Sequence, residues 1–199
     1  YFYSQKRDRI KERYAIGVDL GGTFVKYALV SRSGTIIYSG ENALGGDALR
    51  NNILDVISNS IKETVDKADE QSLKIEGIGI GSPGIIDNGV VLGGAENLNG
   101  WENIDLATIF GEKFKLPVFA DNDANVMGLG EVTFGAAKNC TDALFITVGT
   151  GIGGAVIIDE KLYGGYKNRG GELGHITIKY DGIDCNCGGR GCLEAYAST

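Results

Sequence analysis

Apolar and polar positions in the first part of the chain predict a series of short strands. Apolar or partly alternating segments begin at Tyr14 (YAIGVD), Phe24 (FVKYALVS) and Thr35 (TIIYSG), and turn residues separate them at Gly21–Thr23 and Arg32–Gly34. Runs of this length, bounded by glycine-containing turns, are typical of strands joined by hairpins. We therefore predict three consecutive strands.

The segment that follows has a helical period. Between Asp47 and Asp69 apolar side chains recur every three or four residues, which predicts an amphipathic helix. Strands and helices then alternate along the chain, and this alternation indicates an α/β fold. The apolar positions of this helix are Leu49, Ile53, Val56, Ile57, Ile61 and Val65. The later predicted elements are strands in KIEGIGIGSPG, NGVVLGG and LPVFADND and helices over Ile104–Phe114 and Ala124–Val132.

The chain contains an internal repeat. The segment ALFITVGTGIGGAVIIDEKLYGG has the layout of AIGVDLGGTFVKYALVSRSGTIIYSG, so that Gly149 corresponds to Gly21 and Ile158 to Val30. Two copies of one strand-turn-strand unit imply two similar α/β domains that face each other across a cleft. Each copy would bring one glycine turn to that cleft.

The repeat also predicts how the chain divides. We expect an N-terminal α/β domain over residues 14–118 and the first part of a C-terminal α/β domain, with a zinc loop, over residues 119–199. The boundary is predicted near Pro117–Ala120. Residues 1–13 are charged and are interpreted as a basic leader or an extension.

Composition excludes several classes of protein. The 199 residues are 43% hydrophobic and carry a formal net charge of −7, which argues against a nucleic-acid partner and against an anionic membrane surface. No apolar run reaches the roughly 18–20 residues of a membrane span, and no signal-peptide segment follows the basic start. We therefore expect a cytoplasmic protein whose thiols are reduced.

Two glycine-rich turns match the pattern G-x-G-x-x-G, at Gly79–Gly84 and Gly149–Gly154. A dinucleotide fingerprint opens a helix, whereas strands are predicted after both turns, and the chain has no P-loop motif. Amides and hydroxyls in such turns can cradle phosphate oxygens, although many glycine hairpins are turns and nothing more. Asp19 beside Thr23 is placed to hold Mg²⁺, and Lys26 either offsets phosphate charge or points to solvent.

Asp121, Asn122 and Asp123 lie where a predicted strand ends and a helix begins. One interpretation is that Asp123 caps the helix, where a carboxylate is favoured in its ionised form. The other is that Asp123 is a general base that takes a proton from a hydroxyl while Asn122 orients a ring. The residues alone leave both interpretations open.

The only histidine and three of the four cysteines lie within eighteen positions near the end of the chain. A Cys3His set is typical of a closed tetrahedral zinc site, which shapes a loop and leaves no coordination position for a substrate. Disulfides or buried free thiols are the alternative, although three cysteines leave one without a partner. The four residues are His175, Cys185, Cys187 and Cys192.

Glu172 and Glu194 flank this Cys3His set. Folding of the loop around a metal would bring both carboxylates to one place, where they would accept hydrogen bonds from a hydroxyl-rich ligand. The alternative is that each is an ordinary solvated surface glutamate.

Five short motifs follow one another along the chain: DLGGT at Asp19, DND at Asp121, GTG at Gly149, GELGH at Gly171 and CNCGGRGCLE at Cys185. In this order they resemble the ROK family of bacterial sugar kinases and sugar-responsive repressors. The resemblance extends from the first strand to the last residue, and the GELGH and LNGW segments look most like the glucokinase branch. It implies a duplicated actin-like, ribonuclease-H-like ATPase fold whose second domain is incomplete in this chain.

The resemblance implies ATP-dependent phosphorylation of a hexose hydroxyl, with glucose to glucose 6-phosphate as the first candidate, and a structural Zn²⁺. Asp123 would be the catalytic base, and His175 would bind zinc through one ring nitrogen and the sugar through the other. The implied sugar-binding residues are Gly84, Asn97, Asn122, Glu172, His175 and Glu194. The residues implied to hold ATP phosphates and Mg²⁺ are Asp19, Gly21, Gly22, Thr23, Lys26, Thr150 and Gly151.

The chain departs from the family at Asp121, where the family commonly has Glu, and in its length, because the family's chain continues past the LEAYAS motif. The alternative function is that of a sugar-sensing domain in a ROK-type transcriptional repressor. Such repressors carry a helix-turn-helix unit ahead of the first strand, and thirteen residues precede Tyr14, so we expect the kinase. The hexose stays open, and a homo-oligomer, dimer or tetramer, is expected by analogy.

Overall fold

The computed structural model describes residues 12–45, 49–95 and 98–199. Within these ranges the chain is a mixed α/β protein with one five-stranded sheet and two three-stranded sheets. The strands are β1 (Tyr14–Leu20), β2 (Phe24–Ser31), β3 (Ile36–Ala43), β4 (Ile75–Ser82), β5 (Ile85–Asp87), β6 (Val90–Gly93), β7 (Ile104–Asp105), β8 (Val118–Asn122), β9 (Ala143–Val148), β10 (Ile152–Ile158) and β11 (Lys161–Leu162). The helices are α1 (Arg50–Glu70), α2 (Leu106–Phe114), α3 (Asp123–Thr133) and α4 (Glu194–Ala197), with 3-10 turns at Tyr166–Asn168 and Leu173–His175.

The five-stranded sheet has the order β3-β2-β1-β4-β8. Its first three strands form an antiparallel meander, as the hydrophobic pattern predicted, and β4 and β8 are parallel to β1. Helix α1 packs on this sheet, with Ile53, Ile57 and Ile61 fully buried. Burial of each of these side chains stabilises the fold by about 1.5–3 kcal/mol relative to exposure, so the packing of α1 on the sheet is a substantial source of stability.

The sheet β11-β10-β9 repeats the antiparallel hairpins of the first three strands, which confirms the repeat predicted from the sequence. The copies differ in one detail of register. Leu20 pairs with Val25 and leaves four residues in the first turn, whereas Val148 pairs with Ile152 and leaves three in the second. The second glycine turn is therefore tighter by one residue.

The chain passes from the first sheet to the second at the end of β8. Strand β8 pairs with β4 as far as Asn122, and α3 begins at Asp123 and contacts β10. The domain boundary near residue 118 stays a prediction, and the pairing of β8 favours a position after Asn122. The parallel pairing of β8 with β4 is a long-range contact, and the local sequence carries no signal of it.

Two predicted elements begin later than expected. The helix predicted from Ile104 begins at Leu106, because Ile104 pairs with Val91 and the Asp105 carboxylate accepts a hydrogen bond of 2.8 Å from the Thr108 amide as its N-cap. Helix α1 begins at Arg50, and the predicted start at Asp47 lies outside the described residues, as do most residues of the predicted leader. Among the described residues no helix is long and apolar enough to cross a membrane.

The contact of α3 with the second sheet depends on a glycine. A Cβ added at Gly128 would lie 2.6 Å from the Ala155 Cβ, whereas a Cβ at Gly130 on the same helix meets no atom within 4 Å. We predict that Gly128→Ala destabilises the protein by about 1–3 kcal/mol through overpacking. Gly130→Ala, the matched control, should stabilise it by up to about 1 kcal/mol. Thermal and urea unfolding of both variants measures the difference, and equal stabilities would contradict this account of the interface.

Candidate functional site

The start of α3 positions the candidate base. The Asn122 side-chain oxygen accepts hydrogen bonds from the Ala124 and Asn125 amides at 3.0 and 3.3 Å, so Asn122 is the N-cap. The interpretation of Asp123 as the cap is therefore corrected, because Asp123 is the first helical residue. Its carboxylate accepts a hydrogen bond of 2.9 Å from the Ala124 amide at the start of the helix.

Asn122 also connects β8 to the loop after β4. Its side-chain amide donates to the Gly84 carbonyl oxygen at 3.0 Å, which brings two of the predicted sugar-binding residues together. Gly84 has a φ of 94°, and a Cβ there would lie 2.5 Å from the Gly93 oxygen, so glycine is required. Asn97, predicted for the same pocket, lies outside the described residues.

The LNGW segment is held beside this loop by a buried hydrogen bond. The Trp101 indole N–H donates to the Ser82 hydroxyl at 2.9 Å, and both side chains are buried. Because Ser82 ends β4, this bond fixes the segment to the same strand ends that carry Asn122.

Glu172 is electrostatically coupled to the other candidate acids. Desolvation raises the pKa of the Glu172 carboxyl, and the negative charges of Asp123 and Glu194 act in the same direction. The Arg169 guanidinium opposes this effect, as a protonated His175 would. Coupling of this kind requires proximity, so the fold brings carboxylates from three separate motifs to one region.

Asp19 belongs to the same region. Desolvation raises the pKa of the Asp19 carboxyl, the charge of Asp123 raises it further, and the Lys26 ammonium lowers it. Lys26 is the cross-strand partner of Asp19 on one side and of Glu41 on the other. The pairing shows that Lys26 lies between two carboxylates on the sheet face, so a phosphate would compete with these carboxylates for its charge.

Glu194 joins the cysteine-containing loop to the second glycine turn. Its Oε2 accepts a hydrogen bond of 2.7 Å from the Ile152 amide, and a Cβ at Gly151 would lie 2.8 Å from the same oxygen. One oxygen of this predicted sugar-binding carboxylate therefore already has a backbone donor. The structure thus places a predicted sugar-binding residue directly against predicted phosphate-binding residues.

The two glycine turns present backbone groups and hydroxyls at the ends of their hairpins. In the first, the Gly21 amide donates to the Phe24 oxygen at 2.9 Å, and Gly22 and Thr23 are exposed. In the second, the Gly149 amide donates to the Gly151 oxygen at 3.0 Å, and Thr150 is exposed. A concavity of about 630 Å³ adjoins the first turn, and its lining includes Asp19, Lys26 and Glu41 of the sheet and Val126 of α3.

The Cys3His set forms a cluster with the dimensions of a metal site. The ligand atoms of His175, Cys185, Cys187 and Cys192 all lie within 4.8 Å of one another, and two pairs of them are 3.8 Å apart. Four ligands about 2.3 Å from a tetrahedral zinc ion are separated by about 3.8 Å. The cysteines are free, and 3.8 Å is far beyond the roughly 2.05 Å of a disulfide. These atoms could therefore hold one metal ion.

The backbone between the ligands is shaped by glycine. Gly188 and Gly191 have φ values of 86° and 72°, and a Cβ at Gly191 would clash with the Lys179 oxygen. Burial raises the pKa of the Cys192 thiol to about 11, whereas backbone hydrogen bonding at Gly189 lowers the pKa of Cys187. A bound cation would favour the thiolate at both positions.

A polar network around Asp121 was not predicted from the sequence. The Asp121 Oδ1 accepts hydrogen bonds from the side-chain amides of Asn125 at 3.0 Å and Asn168 at 2.7 Å. Asn125 had only a weak signal as a polar residue in the first turn of the predicted helix, and its burial follows from the fold. Asn168 had no local signal, because its partners are far away in sequence.

Comparison with known proteins gives a consistent result. The family model described as the ROK family matches residues 15–199. The chain is 38% identical over 199 residues to the glucokinase of Halalkalibacterium halodurans, covering 95% of this chain and 58% of that protein. It is also 38% identical over 188 residues to the xylose repressor of Bacillus spizizenii, covering 94% and 48%. The chain thus spans about half the length of the curated relatives it matches.

Solved structures show the same two kinds of relative. A ROK family glucokinase from Streptomyces griseus in complex with glucose and AMPPNP superposes with a TM-score of 0.80 at 35% identity, covering 93% of this chain and 57% of that chain. A ROK family transcriptional regulator, a homolog of the E. coli MLC protein, gives a TM-score of 0.83 at 27% identity, covering 94% and 47%. The predicted actin-like fold is thereby confirmed over the part that this chain spans.

The raised pKa of Glu172 predicts a cost in stability. A carboxyl whose pKa is higher in the folded than in the unfolded protein destabilises the fold above the folded pKa, and this cost disappears below the unfolded value near 4.5. We expect Glu172→Gln to raise the melting temperature at pH 7 and to lose that advantage as the pH falls to about 4. Glu112→Gln, which removes a charge from the exposed surface of α2, is the control. A Glu172→Gln variant no more stable than this control at pH 7 would contradict the assignment.

Proposed function

The chain belongs to the ROK family, and we propose that the protein phosphorylates a hexose hydroxyl with ATP, with glucose as the first substrate to test. The observation that carries the proposal is the position of Asp123 at the start of α3, electrostatically coupled to Asp19 on the side of the first glycine turn and to Glu172 on the side of the second. The similarity to glucokinases supports it.

In this proposal Asp123 accepts the proton of the attacking sugar hydroxyl. Glu172, His175 and the free oxygen of Glu194 accept or donate hydrogen bonds to the other hydroxyls of the ring. Asn122 has one amide hydrogen left after its bond to Gly84, and this hydrogen is available to the sugar. Gly84 and Asn97 complete the pocket. Such hydrogen bonds fix the reacting oxygen in line with the phosphoryl group, and this positioning supplies much of the rate enhancement.

The glycine turns would hold the nucleotide phosphates. Amides of Gly22 and Gly151 and the hydroxyls of Thr23 and Thr150 are the proposed donors, and Gly21, whose amide is bonded to the Phe24 oxygen, would shape the first turn. Asp19 would hold Mg²⁺ through water, and Lys26 would add positive charge once the cation neutralises its carboxylate neighbours. Mg²⁺, when bound with ATP, neutralises charge on the transferred phosphoryl group.

Zinc is the metal that the Cys3His cluster fits best, since three thiolates and one imidazole are its preferred structural ligands. His175 would bind zinc through Nδ1, which lies 3.8 Å from the Cys185 sulfur, and would leave Nε2 for the sugar. The metal would then set the orientation of this ring.

A second function, a sugar-sensing domain of a transcriptional repressor, is favoured by one specific observation. The xylose repressors of Bacillus subtilis and Caldicellulosiruptor bescii are 37% and 40% identical to this chain. The glucokinases of Halalkalibacterium halodurans and Thermotoga maritima are 38% and 40% identical to it, so repressors match as well as kinases. Hexose-dependent ADP release by the full-length gene product, tested with glucose, mannose, fructose, xylose and N-acetylhexosamines, distinguishes the two functions. Turnover supports the kinase, and sugar binding without turnover supports the sensor.

If Asp123 is the base, its replacement should slow the chemical step without weakening hexose binding. Asp123→Asn should lower kcat by about 10²–10⁴, the range of a lost general base, while hexose affinity measured by calorimetry changes little. Asp69→Asn on the exposed end of α1 is the control and should retain full activity. Wild-type turnover by Asp123→Asn would remove this residue from the proposed role.

The Cys3His cluster predicts one zinc per chain, measured by mass spectrometry of metals in freshly purified protein. Cys187→Ser should lose the metal and unfold the loop, because a serine hydroxyl is a poor substitute for a thiolate ligand. Cys140→Ser, at an exposed cysteine outside the cluster, should retain the metal. Zinc-free wild-type protein, or equal loss from both variants, would argue against a zinc site.

A further inference from the structure

One side chain fastens the loop before the GELGH motif to the first part of the fold. The Asn168 side-chain amide donates one hydrogen bond to the Ile86 carbonyl oxygen at 2.8 Å and another to the Asp121 carboxylate at 2.7 Å. These partners lie on β5 and β8, 82 and 47 residues away in sequence. Both amide hydrogens of Asn168 are thus used in contacts between distant segments.

The backbone around Asn168 adopts a conformation that these bonds must stabilise. Lys167 and Asn168 have φ values of 52° and 58°, in the left-handed region that side-chain-bearing residues rarely occupy. The Gly170 amide closes the loop by donating to the Gly164 oxygen at 2.6 Å. A Cβ at Gly164 would clash with the Asn168 amide oxygen, so the loop is built closely around this side chain.

The acceptor of this bond, the Asp121 carboxylate, is held in place by further hydrogen bonds. The Asp121 Oδ1 also accepts from the Asn122 backbone amide at 2.7 Å and from the buried Asn125 side chain at 3.0 Å. Asp121 is therefore held at the start of α3, two residues before Asp123. A longer acid at this position would move the carboxylate away from these donors.

We propose that the Asn168–Asp121 hydrogen bond positions Glu172 against Asp123, and that Asn168 is a positioning residue for sugar binding. Asn168 precedes Glu172 by four residues and Asp121 precedes Asp123 by two, so the bond connects the two segments that carry these acids. The two acids repel each other, and an attachment between their segments holds them together against this repulsion. This inference rests on the proposed function.

Trypsin cleavage within this loop can measure how firmly the loop is attached to the rest of the fold. Lys167 and Arg169 are exposed on either side of Asn168, and trypsin cuts after both residue types when the backbone opens. Asn168→Gly removes the amide but keeps the left-handed backbone, which glycine adopts without strain. We expect cleavage after Lys167 and Arg169 to be at least about tenfold faster in this variant, without any sugar present.

Matched variants separate the bond from general loosening of the loop. Tyr166→Gly introduces the same flexibility at an 83% exposed side chain and should leave cleavage within about twofold of the wild type. Asp121→Ala should accelerate cleavage without any change in the loop sequence, whereas Asp121→Asn keeps an acceptor oxygen and should restore most of the protection. In the double variant of Asn168→Gly with Asp121→Ala, the increase in cleavage rate should be smaller than the product of the two single increases. Both substitutions remove the same hydrogen bond, so their effects are not independent.

Hexose binding then tests positioning. We expect Asn168→Gly to raise the hexose Kd, measured by calorimetry, and the KM for hexose by about tenfold or more, with the KM for ATP unchanged. An unaltered cleavage rate in Asn168→Gly would show that the Asn168–Asp121 bond does not hold the loop. Faster cleavage with an unaltered hexose Kd would show that the bond does not position the sugar site. Either result overturns the proposal. If the wild type binds no hexose, the proposed function fails together with this role, and the cleavage rates alone report the attachment.

Discussion

The hydrogen bonds that begin α3 are the contacts on which the candidate site depends. Asn122 ends a strand of the first sheet, caps the helix that packs on the second sheet, and binds the loop after β4 through Gly84. One amide side chain therefore fixes where the chain leaves one half of the fold and enters the other. It also fixes the position of Asp123, because the residue directly after an N-cap must adopt the backbone dihedral angles of the helix. The capping geometry and the proposed chemistry are consequences of one set of bonds.

The same arrangement concentrates negative charge. Asp19, Asp123, Glu172 and Glu194 come from four motifs on a chain of net charge −7, and the pKa values of Asp19 and Glu172 are raised by desolvation and by their acidic neighbours. A group of acids with raised pKa values is typical of a binding site, where hydroxyls or cations supply partners for the carboxylates. The hydrogen bonds of Asn168 anchor a segment that precedes one of these acids, and a metal ion held by the Cys3His set would anchor a second segment.

Local sequence patterns predicted the parts of the fold that depend on local physics. Hydrophobic periods located the meander, α1 and the repeated hairpin, and the residue types of the Cys3His set predicted a cluster whose dimensions suit a metal. Contacts between distant segments had no such signal. The pairing of β8 with β4, the bond from Asn168 to Ile86 and the bond from Glu194 to Ile152 join positions about 40 or more residues apart. The choice of Asn122 over Asp123 as the cap was likewise undetermined, because both residue types are good caps.

The bond between Glu194 and Ile152 suggests why one fold serves both kinases and sugar sensors. A sugar that binds the free oxygen of Glu194 would alter the carboxylate that holds the start of β10, and with it the turn at Gly149–Gly151. In a kinase, that coupling would place the phosphate-binding turn only when sugar is present, so that binding energy of the sugar is used for catalysis. In a sensor, the same shift would report sugar to another part of the molecule without any transfer of phosphate. The two functions would then differ in what the second turn contacts.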